Sequence, residues 1–456
     1  MKKKIIILAA AVSLLGSCSN LKKDYESTAD EMKIYKEISA EYSINNQWWE
    51  EYQDSQLNYL VKLGLDNNKD LAKAAININK ALYQANIIGS SLVPEFSGSV
   101  SGSAGSNANK DIKNGGNSEI QHSGELSVSY EVDLWRRLRD MQNAEEWEYK
   151  ATIEDYEKTK LTLVNNIINA YFSIMYLENY IDISKNMIKN YFDIEEITAN
   201  KLKYGTGDIL DKKEAEREVI RGRNTLITYE KQKKEQESLL RNLLNLKPDE
   251  ELKIDYREIG TVKNLGVDLD VPVSVIANRP DIKAYEYRLK STFKNAAASE
   301  KQLYPDLIIS SSLSSSSSKF NNTLKAPMAL GAVSINLPFL NWNEIKWNIK
   351  TDRAQYEEAK LNFQQGITTA LNELDYNYFL YIKEQENYAN ISDINRYDKE
   401  IAANYENRYK NGKAELKDWL SSLNDEASSR LNVVGSKYEL IKIENTIYQS
   451  MGGKVK

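Results

Sequence analysis

The stretch LWRRLRDMQNAEEWEYKATIEDYEKTKLTLVNNIINAYFSIMYLENYIDISKNMIKNYFDIEEITANKLKY, Leu134 to Tyr204, decides how this chain is built. Its 71 residues include no Gly or Pro, the two residues that most often interrupt a helix. Apolar side chains recur through its middle on a helical period, at Val164, Ile167, Ile168, Tyr171, Ile174, Met175, Leu177, Ile181, Ile188 and Tyr191, while Lys, Glu and Asn fill the other faces. The pattern predicts one long helix with a seam for partner helices. At about 1.5 Å per residue it would span roughly 100 Å, far more than an ordinary globular domain.

Beyond this stretch the chain reverses at Tyr204-Gly205-Thr206-Gly207. It returns as a second helix from about Asp208 to Leu246, stopped by Pro248. Ahead of it, short helices are expected from Ser55 to Gly64 and from Asp70 to Ile88. A strand pair follows, first Phe96 to Ala104, then Leu126, Val128, Tyr130 and Val132 alternating with Ser127, Ser129, Glu131 and Asp133. Asn107 to Ser123 reads as a polar loop that holds the only histidine, His122.

The plan then recurs. Asn67 to Phe96 aligns without a gap on Asn278 to Leu307, sharing Asn67/Asn278, Asp70/Asp281, Ala85/Ala296, Leu92/Leu303 and Pro94/Pro305. Further on, Gly205 and Asp211 meet Gly412 and Asp418. A repeat of this period exceeds a solenoid unit and reads as a duplicated half-protein. In the second half, Pro280 and Asp281 suit the first turn of a helix. Strands are expected over Leu307 to Leu313 and Ala332 to Leu337, with the Ser311 to Ser318 tract a flexible external loop. A long helix from Asn343 to Tyr409 turns at Asn411-Gly412 into a return helix ending near Gln449, and Glu251 to Val273 reads as irregular with short strand-like pieces.

The expected organisation is a signal peptide (1–17), an N-terminal segment (18–54), a first repeat (55–247), a linker (248–277), a second repeat (278–450) and a tail (451–456). The first repeat holds helices over 55–90, a β-hairpin over 95–133 and a helical hairpin over 134–247. The second holds a helix over 280–302, a β-hairpin over 306–339 and a helical hairpin over 343–450.

The N-terminus fixes the compartment. Met1-Lys2-Lys3-Lys4, an apolar run from Ile5 to Leu15 and Leu15-Gly16-Ser17-Cys18 form a secretory signal too short to span a bilayer. Small residues before the only Cys resemble the lipoprotein cleavage box, which implies a mature chain starting at an acylated Cys18, and Ser19 after it resembles lipoproteins sorted to the outer membrane. Losing Lys2, Lys3 and Lys4 takes the formal charge from -6 to -9, which argues against nucleic acid. No later segment offers 18 consecutive apolar residues, and mean hydropathy is -0.58. Any membrane crossing must use strands. One His and one Cys leave no zinc set and no His or Cys catalysis, and no nucleophile, metal cluster or phosphate loop appears, so an enzyme and a resident cofactor are not expected.

Strands of seven to ten residues have transmembrane length, but four cannot close a barrel, and an open edge in lipid strands its backbone polar groups. Three chains would supply twelve strands. Trp48-Trp49-Glu50 through Gln56-Leu57, the Pro94 and Pro305 strand entries, Tyr130-Glu131-Val132-Asp133-Leu134-Trp135, Arg279-Pro280-Asp281, Leu337-Pro338 and the two helix reversals together resemble the TolC family of outer-membrane factors, nearest its lipid-anchored branch. The resemblance spans nearly all the mature chain. It implies a homotrimer with a twelve-stranded β-barrel in the outer membrane, four strands per chain, continued by a periplasmic α-helical barrel with a mixed α/β equatorial region. It also implies an efflux duct passing drugs, toxic compounds or metal ions from an inner-membrane transporter through a periplasmic adaptor. The exit duct of a type I protein-secretion system uses the same fold. A lipid-anchored coiled-coil scaffold would explain the helices and Cys18 but not two matched β-hairpins.

The reversals, Lys201-Leu202-Lys203-Tyr204-Gly205 and Arg408-Tyr409-Lys410-Asn411-Gly412, resemble the family's tunnel tips, which implies adaptor contact at Tyr204, Gly205, Tyr409 and Gly412. Glycine suits any such reversal, so the structural role coexists with the functional one. Six residues past each Gly stands an acid, Asp211 and Asp418. Asp418 falls where the family's tip aspartate lies, and a ring of like charges in a narrow pore would favour cations. A solvated acid in a helix's first turn is the plainer alternative. The family's further acid is Ser421 here. Twenty-nine Tyr against eight Phe suit helix seams with a wet edge.

Overall fold

The computed structural model describes residues 21–30, 32–105, 119–255, 257–323 and 325–455. The signal peptide, Cys18 and most of the loop after the first strand lie outside the described residues. The chain falls into two compact units, one made of 1–33, 75–155 and 283–366, the other of 34–74, 156–282 and 367–456. In chain order, a helical stretch over 21–30 and 32–40 precedes β1 (Ile44–Asn45), α1 (Ser55–Asn67), α2 (Lys69–Gly89), β2 (Glu95–Gly105), β3 (Glu119–Val132), α3 (Arg137–Lys203) and α4 (Ile209–Leu244). There follow α5 (Pro280–Lys301), β4 (Asp306–Ser317), β5 (Met328–Asn336), α6 (Trp342–Lys410), α7 (Leu416–Met451) and β6 (Lys454–Val455).

The deciding stretch is a single helix of 67 residues, and every seam residue named above except Ile188 is buried. It starts later than its composition allows. Arg136 adopts left-handed backbone (φ 62°), and the Asp133 carboxylate accepts from the amides of Leu138 (3.1 Å) and Arg139 (2.9 Å), so Leu134 to Arg136 form a turn and the cap selects Arg137 as the first helical residue. Three further expectations are corrected. The linker contains 3-10 turns over Ile259–Thr261 and Val273–Asn278 and no strand among its described residues. His122 lies inside β3, opposite Gly102 and Ser317. The serine tract to Ser317 belongs to β4.

In the second unit, Trp48, Tyr52, Leu57, Leu60, Ile167, Tyr171, Phe172, Leu244, Ile441 and Tyr448 share one core. Gly64 lets α1 meet α3, since a Cβ there would stand 2.3 Å from Ile167 Cδ1. Several polar groups inside it are paired. Trp48 donates to Asn445 Oδ1 (2.8 Å), whose amide donates to the Tyr52 hydroxyl (2.9 Å), and Asp54 caps α1 while accepting from the Tyr171 hydroxyl and Arg257 (both 2.9 Å). Glu444 on α7 accepts from the amides of Leu265 (3.1 Å) and Gly266 (3.2 Å) and from the Tyr381 hydroxyl (3.2 Å), which fastens the linker to the helices.

In the first unit, α5 is tied to α3 by charge. Lys294 and Lys301 converge on the buried Asp140, and Arg288 spans Glu148 and Asp155. Tyr25 stacks on Phe293 with ring centroids 4.3 Å apart, and Asp24 accepts from Tyr356 (2.8 Å) and Lys360 (2.5 Å) on α6. These contacts hold the N-terminal helical stretch against α5 and α6.

Candidate functional site

Two places carry functional geometry, the sheet and the helix reversals. The sheet is antiparallel in the order β2-β3-β4-β5. Its register puts Phe96 opposite Val128, Tyr130 opposite Ile309, Leu126 opposite Leu313 and Ile309 opposite Val333, so one face is apolar, with Phe96, Val100 and Val333 more than two-thirds exposed. The other face is rich in serine, interrupted by Glu125, Ile308, Met328 and Leu330. Ser127 pairs across strands with both Ser97 and Ser312, Ser123 with Ser101 and Ser316, and Ser129 with Ser310; the Ser97 and Ser127 hydroxyls are bonded at 2.6 Å, those of Ser101 and Ser123 at 2.8 Å. The tract that reads as a loop is thus half a polar lining, and its remaining serines alternate onto the apolar face. Both faces of β2 and β5 are exposed among the described residues, and the outer edges of these two strands have no strand partner among them. An apolar face exposed on this scale marks contact with lipid or protein. Among the described residues no helix is long and apolar enough to cross a membrane.

The reversals lie in the second unit. At the first, Gly205 is left-handed (φ +73°) and Thr206 donates its amide to the Lys201 carbonyl (3.0 Å); at the second, Gly412 (φ +68°) precedes Lys413, which donates to the Arg408 carbonyl (2.8 Å). Both are the same helix-ending turn. What they present differs. Tyr204 is 76% exposed and is joined at the surface by Ile209 and Leu210, whereas Tyr409 is buried against Trp419, with ring centroids 5.0 Å apart, and packs with Tyr191, Ile194, Leu416 and Leu420. Tyr409, expected at a contact surface, is a core residue of its own chain. Its hydroxyl and the Trp419 indole N–H are buried without a hydrogen-bond partner among the described residues.

Lys201 joins the two hairpins, its ammonium 4.1 Å from the Tyr409 ring centroid. It also faces Asp211. Partial burial, then the negative charges of Asp208, Glu214 and Glu415, holds the Asp211 carboxyl above the usual carboxylate range against the pull of Lys201. Asp418 is exposed and forms no hydrogen bond or ion pair among the described residues. The structure does not join Asp418 to Asp211. Glu415 and Trp419 were missed from the sequence, and Lys201 was read only as part of the first reversal; Lys201 and Trp419 are two and three residues from helix ends, where only the tertiary fold shows which neighbours they meet. No cluster of His, Cys, Asp and Glu suited to a metal occurs among the described residues.

Comparison with known proteins gives the family. A family model described as outer membrane efflux protein matches residues 60–246 and 271–453. The chain is 47% identical over 453 residues to the toxin and drug export protein A of Aggregatibacter actinomycetemcomitans, covering 99% of this chain and 98% of that one. It is 23% identical to the cation efflux system protein CusC of Escherichia coli, covering 81% of each. Its fold matches the CmeC outer membrane channel of Campylobacter jejuni with a TM-score of 0.83, at 24% identity over 90% of this chain and 88% of that one. With the family model matched in both halves and a near full-length relative at this identity, the chain belongs to the outer membrane efflux protein family and is an outer-membrane efflux duct.

Proposed function

We propose that three copies assemble to complete the duct. The observation that carries this is the four-stranded sheet with two open edges, one apolar face and one serine face. Such a sheet is stable in lipid only if its edges are paired, and pairing β5 of one copy with β2 of the next closes a twelve-stranded barrel with the apolar face outside and the serine face around the lumen. The long helices then continue the passage as a periplasmic tunnel. A periplasmic adaptor and an inner-membrane transporter deliver cargo at the helix reversals, where Tyr204 and Gly205 offer an exposed surface and Gly412 the second turn. The cargo is small molecules such as drugs, toxic compounds or metal ions, in keeping with the names of the relatives. Asp418 and Asp211 line the entrance as its charged constriction, a lipid on Cys18 anchors the chain, and no catalysis, cofactor or nucleic acid takes part.

Native mass measurement in mild detergent tests the assembly. Three chains per particle are expected. A stable monomer that keeps all its strand content would refute the shared barrel.

A further inference from the structure

We propose that the first turns of α6 dock the anionic phospholipid headgroups of the inner leaflet of the outer membrane. The assignment rests on reading the sheet as a barrel wall. Along β5 the exposed apolar positions Val333 and Ile335 are followed in the same alternation by Leu337, and then by Leu340, Trp342 and Trp347, each more than two-fifths exposed. At the same end of the sheet, Leu134 and Trp135 are exposed after β3, and the Trp135 indole donates to the Pro305 carbonyl (2.9 Å). The apolar face therefore does not stop where the strands stop; it passes into a belt of indoles.

Two lysines sit in that belt. Lys346 Nζ lies 5.4 Å from the ring centroids of both Trp342 and Trp347, and Lys350 Nζ lies 4.7 Å from that of Trp347. Neither is bonded to a carboxylate among the described residues, and the exposed acid of this turn, Glu344, accepts from Asn341 instead (3.0 Å). A ring face holds an ammonium in place without neutralising it, so two positive charges remain available. Helical side chains lean towards the helix N-terminus, which aims both amines back at the sheet end of α6. Indoles and snorkelling lysines at the edge of an apolar band match the layer where lipid phosphates lie. A second copy is the poorer occupant, because the centre of a protein interface is depleted in Lys.

The full-length protein, placed in nanodiscs of phosphatidylethanolamine with or without phosphatidylglycerol, tests this by native mass measurement of retained lipid. Wild type should retain phosphatidylglycerol preferentially. Lys346→Gln with Lys350→Gln should lose that preference by about fivefold per lysine, while Lys346→Arg with Lys350→Arg keeps it. Trp342→Ala with Trp347→Ala should weaken retention of both lipids. Equal phosphatidylglycerol retention in the double Gln variant overturns the assignment, as does a loss that tracks dissociation of the assembly, because a second copy then covers the patch. Failure of the wild type to insert with its strand content intact defeats the barrel reading itself.

Discussion

Glu444 is a carboxylate in the core, and burial raises its pKa against the opposing hydrogen bonds from Leu265, Gly266 and Tyr381. A carboxyl whose folded pKa is raised contributes stability that is present below its unfolded pKa and fades as pH rises through the folded one. Glu444→Gln keeps an acceptor for the linker amides and should flatten this acid-side gain in thermal melts run across that range. Glu444→Leu strips the acceptor from buried N–H groups and should cost about 1–3 kcal/mol. If melts of the Gln variant keep the wild-type pH slope, Glu444 is not its source. Tyr409 gives the opposite kind of test. Its buried hydroxyl has no partner among the described residues, so Tyr409→Phe should leave stability unchanged or raise it by about 1 kcal/mol, read as a denaturation midpoint. Neither environment was legible in the sequence, where Tyr409 stands in a surface-like context of Arg and Lys.

The helices were legible as elements because a 3.6-residue period survives any partner they pack against. Their ends were less so, since Arg136 in left-handed backbone and the Asp133 cap, not propensity, set where α3 begins. The strands were read short for a different reason. Alternation is visible only while one parity is apolar, and after Leu313 both parities of β4 are serine, so the pairing shown by the register left no trace in composition. The reversals make their own prediction. Gly205 and Gly412 need left-handed backbone that a side chain disfavours by roughly 1–2 kcal/mol, so Gly412→Ala should loosen the second turn and speed limited proteolysis between α6 and α7. Cleavage no faster than wild type would show that the turn adopts another conformation at no cost.

For the whole molecule, the proposed entrance and anchor can each be tested by one substitution. Asp418 is exposed, so Asp418→Ala should leave the fold intact while lowering cation preference in planar bilayers; Asp418→Arg should go further, and added salt should weaken both effects. Unchanged conductance and selectivity in intact assemblies would leave Asp418 as a solvated first-turn acid. Cys18→Ala should abolish lipid attachment, and mass spectrometry of the wild-type mature chain showing an unmodified N-terminal residue would remove the lipoprotein reading. The duct character was legible in the sequence because motifs that resemble the TolC family stand in order over nearly all the mature chain, whereas the inequality of the two reversals, one exposing Tyr204 and the other burying Tyr409, is a product of packing.

The central pairing of the sheet has a consequence for biogenesis. β3 joins β4, as at Val132 with Leu307, although a complete helical hairpin, the linker and α5 lie between them in the chain. Closing so long a loop adds little thermodynamic cost, about 0.6 kcal/mol for each doubling of length, but non-local strand pairing is slow. A chain translocated from its N-terminus holds β2 and β3 with a bare apolar face until the second half arrives. Until β4 and β5 pair with them, those two strands are open to wrong association.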